Sequence, residues 1–234
     1  MSSVRLRPPA RRGELRDRHE DGHRLHHLLW RLGPGVRVCS SAVLGGGIGP
    51  RAWILNAQVP GGYPRLDPDR HLAEIAAAEG LTGPGAGLMT AADVAAYTTG
   101  HDGGVTATVT AGLGVRGWAA APDTATRAPH RPGDAEVPGS PYRPGTINIV
   151  VTLPVALSDA ALVNAVATAT EAKVQALLDA GLDCSGTPTD AVCVAAPEPG
   201  HDGGEPFAGP RSTWGARIAR AVHTAVLAGA RTAP

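Results

Sequence analysis

Aromatic side chains make up only 3% of the 234 residues, and Lys173 is the only lysine among 21 basic residues. A core so poor in rings must be built from Ala, Val, Leu and Ile, with elements packing closely where Gly and Ala abound. Acidic and basic residues balance at 21 each, which leaves no basic field to attract nucleic acid or an anionic membrane. Three cysteines, Cys39, Cys184 and Cys193, are an odd number without CxxC spacing, which speaks against a disulfide framework and a thiolate zinc site. No apolar run reaches the roughly 18 residues of a membrane span, and no apolar segment follows the N-terminal charges as in a secretory signal. The expectation is a reducing, cytoplasmic compartment.

The chain begins with a charged stretch almost free of apolar pattern, which predicts a disordered extension over residues 1–30 ahead of one domain over 31–234. His19, His23, His26 and His27 lie in that stretch at a spacing that could collect metal ions, although a solvated tail explains them as well. Beyond it, Val36–Leu44 and Trp53–Val59 read as apolar strands around a Gly-rich turn. Asp67-Pro68 opens a helix with Leu72, Ile75 and Ala76 inward and Gly80 at its end. Thr90 to Asp93 resembles a capping box opening a second short helix. Val105 to Ala111 alternate with threonines as a half-buried strand would. Residues 122–143 lack periodicity and read as a flexible loop. Then come a strand over Ile147–Val155, a long helix from Ser158 to about Ala180, a strand over Ala191–Ala196 and a helix beginning at Ser212 or Thr213. The fold class is α/β or α+β, a single domain of mixed sheet with flanking helices. His101-Asp-Gly-Gly104 recurs as His201-Asp-Gly-Gly204 and reads as two exposed turns.

Chemistry concentrates in the second half. Stepping about 100° per residue from Leu162 puts Lys173 near 20°, inside the apolar stripe with Val166, Ala169 and Leu177, and Glu171 near 180° on a polar strip with Asn164, Thr168 and Gln175. An ammonium on a buried face must pair with a carboxylate, lose its proton or snorkel to the edge. Gly186-Thr-Pro-Thr-Asp190 and Pro144-Gly-Thr-Ile-Asn148 each stand at a strand entrance. Such groups can hold a polar ligand or simply close a turn on their own backbone. No phosphate loop, HExxH or GxSxG elbow is present, so nucleotide or zinc-hydrolase readings have no motif behind them.

Taken in order, Cys39–Gly47, Ile54–Val59, Gly87–Ala91, Thr108–Gly112, Pro144–Ile149, Thr168–Lys173 and Gly186–Ala191 resemble the adenosylcobinamide amidohydrolase family, as do Ala208-Gly209, Thr213 and Gly215. The resemblance runs from about residue 35 to 230. Two departures stand out: Pro188 replaces the middle glycine of a Gly-Thr-Gly-Thr-Asp turn, and the Ala111–Ala121 stretch lacks an expected asparagine. The resemblance implies hydrolysis of the amide joining aminopropanol to a corrin propionate. Its partner would be a small-molecule corrinoid, with no nucleic acid and no membrane, while a homo-oligomer stays open. No cofactor is expected, the cobalt arriving inside the substrate. Lys173, held by Asp190 or Glu171, would handle a proton or steady the oxyanion, with water or Thr146 as nucleophile. Ser41, Asn56, Thr90, Asn148, Thr187 and Thr189 would bind substrate. Gly145-Thr146 also fits a self-cleaving hydrolase with an N-terminal threonine, a variant that an uncut mass of 23.7 kDa would exclude. A non-catalytic corrinoid binder and an amidase for another substrate complete the alternatives.

Overall fold

A computed structural model of the chain describes residues 12–122 and 145–232. The chain does not wait until residue 31 to fold. β1 (Glu14–Glu20) and β2 (His23–Arg31) form an antiparallel hairpin, and β2 pairs in turn with β5 (Trp53–Gln58). The expected extension is thus corrected for residues 14–30. β1 carries few apolar side chains because it is the edge strand of its sheet, where charge is tolerated and guards against further pairing. β2 by contrast buries Leu25, Leu28, Leu29 and Trp30. The loop expected over 122–143 falls almost wholly outside the described residues.

Between hairpin and β5 run β3 (Val36–Ser40) and β4 (Gly47–Pro50). Helix α1 (Pro68–Ala78) follows β5 and leads to β6 (Gly85–Thr90). Asp67 precedes α1 but does not cap it with its side chain, which pairs instead with Arg65 at 2.9 Å. Thr90 ends β6 rather than opening a helix. Only a single 3₁₀ turn, Val94–Ala96, follows it, with Asp93 accepting from the Ala95 N–H at 2.9 Å. Then come β7 (Thr98–Asp102), β8 (Val105–Leu113), β9 (Gly145–Thr152), α2 (Asp159–Asp179), β10 (Ala191–Pro197) and α3 (Thr213–Thr232).

Two mixed sheets result. The smaller has the order β1-β2-β5-β6, and the larger β4-β3-β10-β9-β8-β7. Each has one parallel pair, β5–β6 bridged by α1 and β9–β10 bridged by α2, as parallel neighbours require a crossover. Period-two alternation assigns the faces. Trp53, Leu55 and Ala57 meet Leu72, Ile75 and Ala76 of α1, while Ile54 and Leu88 join Leu28, Trp30, Val38, Val150 and Cys193 between the sheets. Ile147, Ile149, Val192 and Val194 face α2 and α3. The layers therefore run α1, small sheet, large sheet, α2 with α3. Gly100 of β7 permits the last contact, since a Cβ there would lie 2.0 Å from the carbonyl oxygen of Ala221 in α3.

A sheet covered on both sides changes the reading of β8. Its threonines are not solvent-facing: Thr106, Thr108 and Thr110 are buried along with Val105, Ala107 and Val109. They look toward the small sheet. Helix α2 departs in a similar way, because Thr168 is buried and donates to the Ala208 carbonyl at 2.8 Å. The two His-Asp-Gly-Gly segments differ: His101 and Asp102 end β7 and only Gly103-Gly104 form the turn to β8, whereas His201-Asp202 form a turn on the way to α3. Among the described residues, no helix is long and apolar enough to cross a membrane.

Candidate functional site

The polar strand entrances meet at one rim of the large sheet. β9 and β10 are parallel neighbours with Asn148 opposite Ala191, so the turn before β10 lies beside the start of β9. Helix α2 covers this end of the sheet and delivers Lys173, which is 7% exposed, to Asp190. Ser158 fixes the beginning of that helix by accepting from the Ala161 N–H at 3.1 Å.

The Asp190 carboxylate receives four donors. Lys173 Nζ and the Thr187 N–H (3.1 Å) donate to Oδ2, while the Thr187 hydroxyl and the Ile147 N–H (2.8 Å) donate to Oδ1. A largely covered anion so fully satisfied is a fixed counter-charge rather than a free base. Pro188 does not disturb this turn, because the N–H that holds the carboxylate belongs to Thr187. Gly186 is required by the same geometry: its φ is +152°, and a Cβ would lie 2.3 Å from Asp190 Oδ2 and 2.5 Å from Lys173 Nζ. Glu171 stands on the exposed face of α2, on the other side of the helix from Lys173. Of the two carboxylates considered as partners for the lysine, Asp190 is the one that the fold supplies.

On the opposite face of the large sheet a second polar column starts at the same rim. Thr189 is exposed, and its hydroxyl donates to the Gly145 carbonyl at 3.0 Å. That leaves its oxygen to accept from the Thr146 hydroxyl, 2.5 Å away. Two residues further along β9, Asn148 is 1% exposed and donates through Nδ2 to Asn56 Oδ1 (2.8 Å) and to the Met89 carbonyl (3.0 Å). Asn56 passes the chain on through Nδ2 to Thr110 Oγ1 at 3.0 Å. β5, β6, β8 and β9 thus contribute to one buried network between the sheets. Asn148 Oδ1 is buried with no partner among the described residues.

Ser41 and Thr90 have more local occupations. The Ser41 hydroxyl accepts from the Val192 N–H at 3.1 Å, and the Thr90 hydroxyl from the Ala92 N–H at 3.0 Å. Ser41 is exposed beside the entrance of β10, whereas Thr90 is buried between the sheets. Thr110 was not singled out by the sequence. Its signal was the β8 pairing, which sets it directly opposite Asn148. The strap beside Lys173 was equally silent: Gly117 pairs with Gly186, and the half-exposed Trp118 donates from its indole to Asp183 at 3.2 Å.

The four histidines of the N-terminal stretch do not gather around a common point. His27 is fully buried on the α1 side of the small sheet, whereas His19 and His23 belong to the hairpin edge. Among the described residues, no three His, Cys, Asp or Glu side chains come together to hold a metal. All three cysteines are free, and burial pushes the Cys193 thiol up to about 12, which makes it inert.

Known proteins resemble this sequence over the span that carries these residues. The family model for adenosylcobinamide amidohydrolase matches residues 12–233, so it takes in the β1–β2 hairpin. An adenosylcobinamide amidohydrolase of Methanosarcina mazei is 32% identical over 196 residues, covering 81% of this chain and 88% of the relative. One of Halobacterium salinarum is 45% identical over 85 residues, 36% of each chain. The chain belongs to the adenosylcobinamide amidohydrolase family and, with it, to the enzymes that hydrolyse an amide.

Proposed function

We propose that this protein hydrolyses the amide joining aminopropanol to the corrin side chain of adenosylcobinamide, releasing adenosylcobyric acid in a cytoplasmic cobamide-salvage step. The observation that carries the reading is the buried Lys173–Asp190 pair at a rim lined by threonine hydroxyls. Amide hydrolysis needs a nucleophile, a donor for the oxyanion and a proton for the departing amine. Lys173 has three N–H donors and uses one on Asp190, so two remain for the developing oxyanion and the leaving nitrogen. Asp190 keeps the ammonium aimed at the rim.

Water is the favoured nucleophile over Thr146. The Thr146 hydroxyl is engaged with another hydroxyl rather than with a base that could take its proton. We assign the reaction no metal or other cofactor of the enzyme's own, so cobalt enters only as part of the substrate. The chemistry asked of Lys173 is met by charge and hydrogen bonding alone.

The test is direct. Purified protein incubated with adenosylcobinamide should release adenosylcobyric acid and aminopropanol in equal amounts, separable by chromatography. Turnover should persist after dialysis against a strong chelator. A spectral shift of bound corrinoid without product would instead identify a binding protein. Intact mass in the same preparation checks for cleavage between Gly145 and Thr146.

A further inference from the structure

Among the described residues, the network between the sheets leaves two hydrogen-bonding capacities unused, on residues that are cross-strand partners. Asn148 Nδ2 donates to two fixed acceptors, Asn56 Oδ1 and the Met89 carbonyl, which sets the orientation of its carboxamide. Its Oδ1 is therefore an acceptor, buried and without a donor. A buried polar atom in that condition is costly unless something donates to it. Thr110 is its cross-strand neighbour, and directly opposed side chains in a ladder lie roughly 5 Å apart at Cβ. Thr110 Oγ1 accepts from Asn56, while its own proton has no acceptor among the described residues. One side thus asks for a donor and the other for an acceptor.

Few small groups satisfy both. An amide N–H only donates, and a carboxylate only accepts. An alcohol hydroxyl does both with a single atom, as does water. The column Thr189, Thr146, Asn148 runs from an exposed position to a buried one on one face of the sheet, starting at the rim where Lys173 meets Asp190. The column thus leads inward from that rim, on the sheet face opposite the Lys173–Asp190 pair.

Resting on the amide-hydrolase reading above, we infer that Asn148 and Thr110 form the subsite for the amino-alcohol arm of the substrate. Its hydroxyl donates to Asn148 Oδ1 and accepts from the Thr110 hydroxyl. The pair is then a specificity determinant. It distinguishes the substituted amide from any other carboxamide of the corrin by reading a hydroxyl, and sites that bind a hydroxyl reject analogues lacking it far more strongly than apolar pockets reject a missing methylene.

The experiment compares two substrates, adenosylcobinamide and the analogue whose arm is a plain propylamide. Wild-type enzyme should favour the hydroxylated arm in kcat/KM by roughly 100-fold. Thr110→Val and Asn148→Ala should bring the ratio to within about threefold of unity, whereas Thr110→Ser, which keeps a hydroxyl, should preserve it. The ratio is internal to each preparation, so a smaller folded fraction does not distort it. In wild-type enzyme alone, free 1-amino-2-propanol should compete with substrate at concentrations where propylamine does not. A wild-type ratio near unity, equal inhibition by the two amines, or a Thr110→Val enzyme that still discriminates 100-fold would each overturn the assignment. Failure of the wild type to cleave either substrate would overturn the function proposed above, and this subsite with it.

Discussion

Two buried basic side chains sit in opposite halves of the sandwich, and their surroundings differ. Lys173, on the α2 side of the large sheet, meets a carboxylate that three other donors also hold. His27, on the α1 side of the small sheet, has Glu79 Oε1 at 3.1 Å from Nε2, yet among the described residues the geometry gives neither ring nitrogen a hydrogen bond. Burial outweighs the nearby carboxylate and holds the His27 pKa below its ordinary value. One region surrounds its charge with fixed partners, and the other keeps its basic group neutral. A charge kept at such cost, at the rim where the starts of β9 and β10 meet α2, is the pattern of a working group. A neutral buried imidazole is the pattern of packing.

Substituting each group tests that distinction. Lys173→Met keeps the apolar stem and removes the ammonium, so it should reduce corrinoid amide hydrolysis at least about a thousandfold. Asp190 would retain its three remaining donors, and circular dichroism should therefore still report a folded chain. Substantial residual turnover would remove the lysine from the mechanism and collapse the comparison. Gly186→Ala comes next. Its Cβ would intrude on both members of the pair, and the backbone there favours glycine, so unfolding in urea should show a loss of about 2–3 kcal/mol together with reduced turnover. An alanine variant of unchanged stability would mean that the turn carrying Asp190 is looser than its hydrogen bonds imply.

The sequence allowed Lys173 to be found because helical periodicity is local: one lysine inside an apolar stripe needs no tertiary information to stand out. Periodicity also exposed the inner face of α1, where Leu72, Ile75 and Ala76 are buried as spaced. The choice between Asp190 and Glu171 as partner could not be made that way. It depends on β10 pairing in parallel with β9, a contact between segments some 40 residues apart. Burial of the β8 threonines and of Thr168 was hidden for the same reason, since a second layer covers faces that period-two or 3.6 counting assigns to solvent. Residues 14–30 were misread because charge usually marks a tail. Here the charged residues cluster on the edge strand β1, and its partner β2 carries the apolar side chains that anchor it.

The small-sheet side offers a test on stability alone. A histidine whose pKa is depressed in the native state binds fewer protons there than in the unfolded chain. Stability contributed by neutral His27 is complete above the unfolded value of 6.5 and declines as pH falls toward the lower native pKa. His27→Leu should remove this component, so that melting temperature falls less between about pH 7.5 and 5.5 than in the wild type, with a difference on the order of 1 kcal/mol. Turnover at neutral pH should change little, because His27 lies on the far face of the small sheet from the Asn56 network. A variant with unaltered acid sensitivity would place the proton uptake elsewhere. Lost turnover with stability preserved would make the small sheet a participant in the chemistry and erase the contrast.

Glu171 supplies the smallest effect and the finest boundary. It is two residues from Lys173 on α2, and adjacent carboxylates and lysines in a sequence invite pairing. Residues two apart on a helix do not face one another, however, and Glu171 projects to solvent while Lys173 is buried. Glu171→Gln should therefore leave stability within about 0.5 kcal/mol and turnover within about twofold of the wild type. The same substitution at Asp190 would remove a charge at which four donors converge, and should resemble the loss of Lys173 itself. If Glu171→Gln proved as damaging as Asp190→Asn, substrate would have to reach over the exposed face of α2. The reacting centre would then lie outside the rim, and the buried pair would serve the fold rather than the reaction.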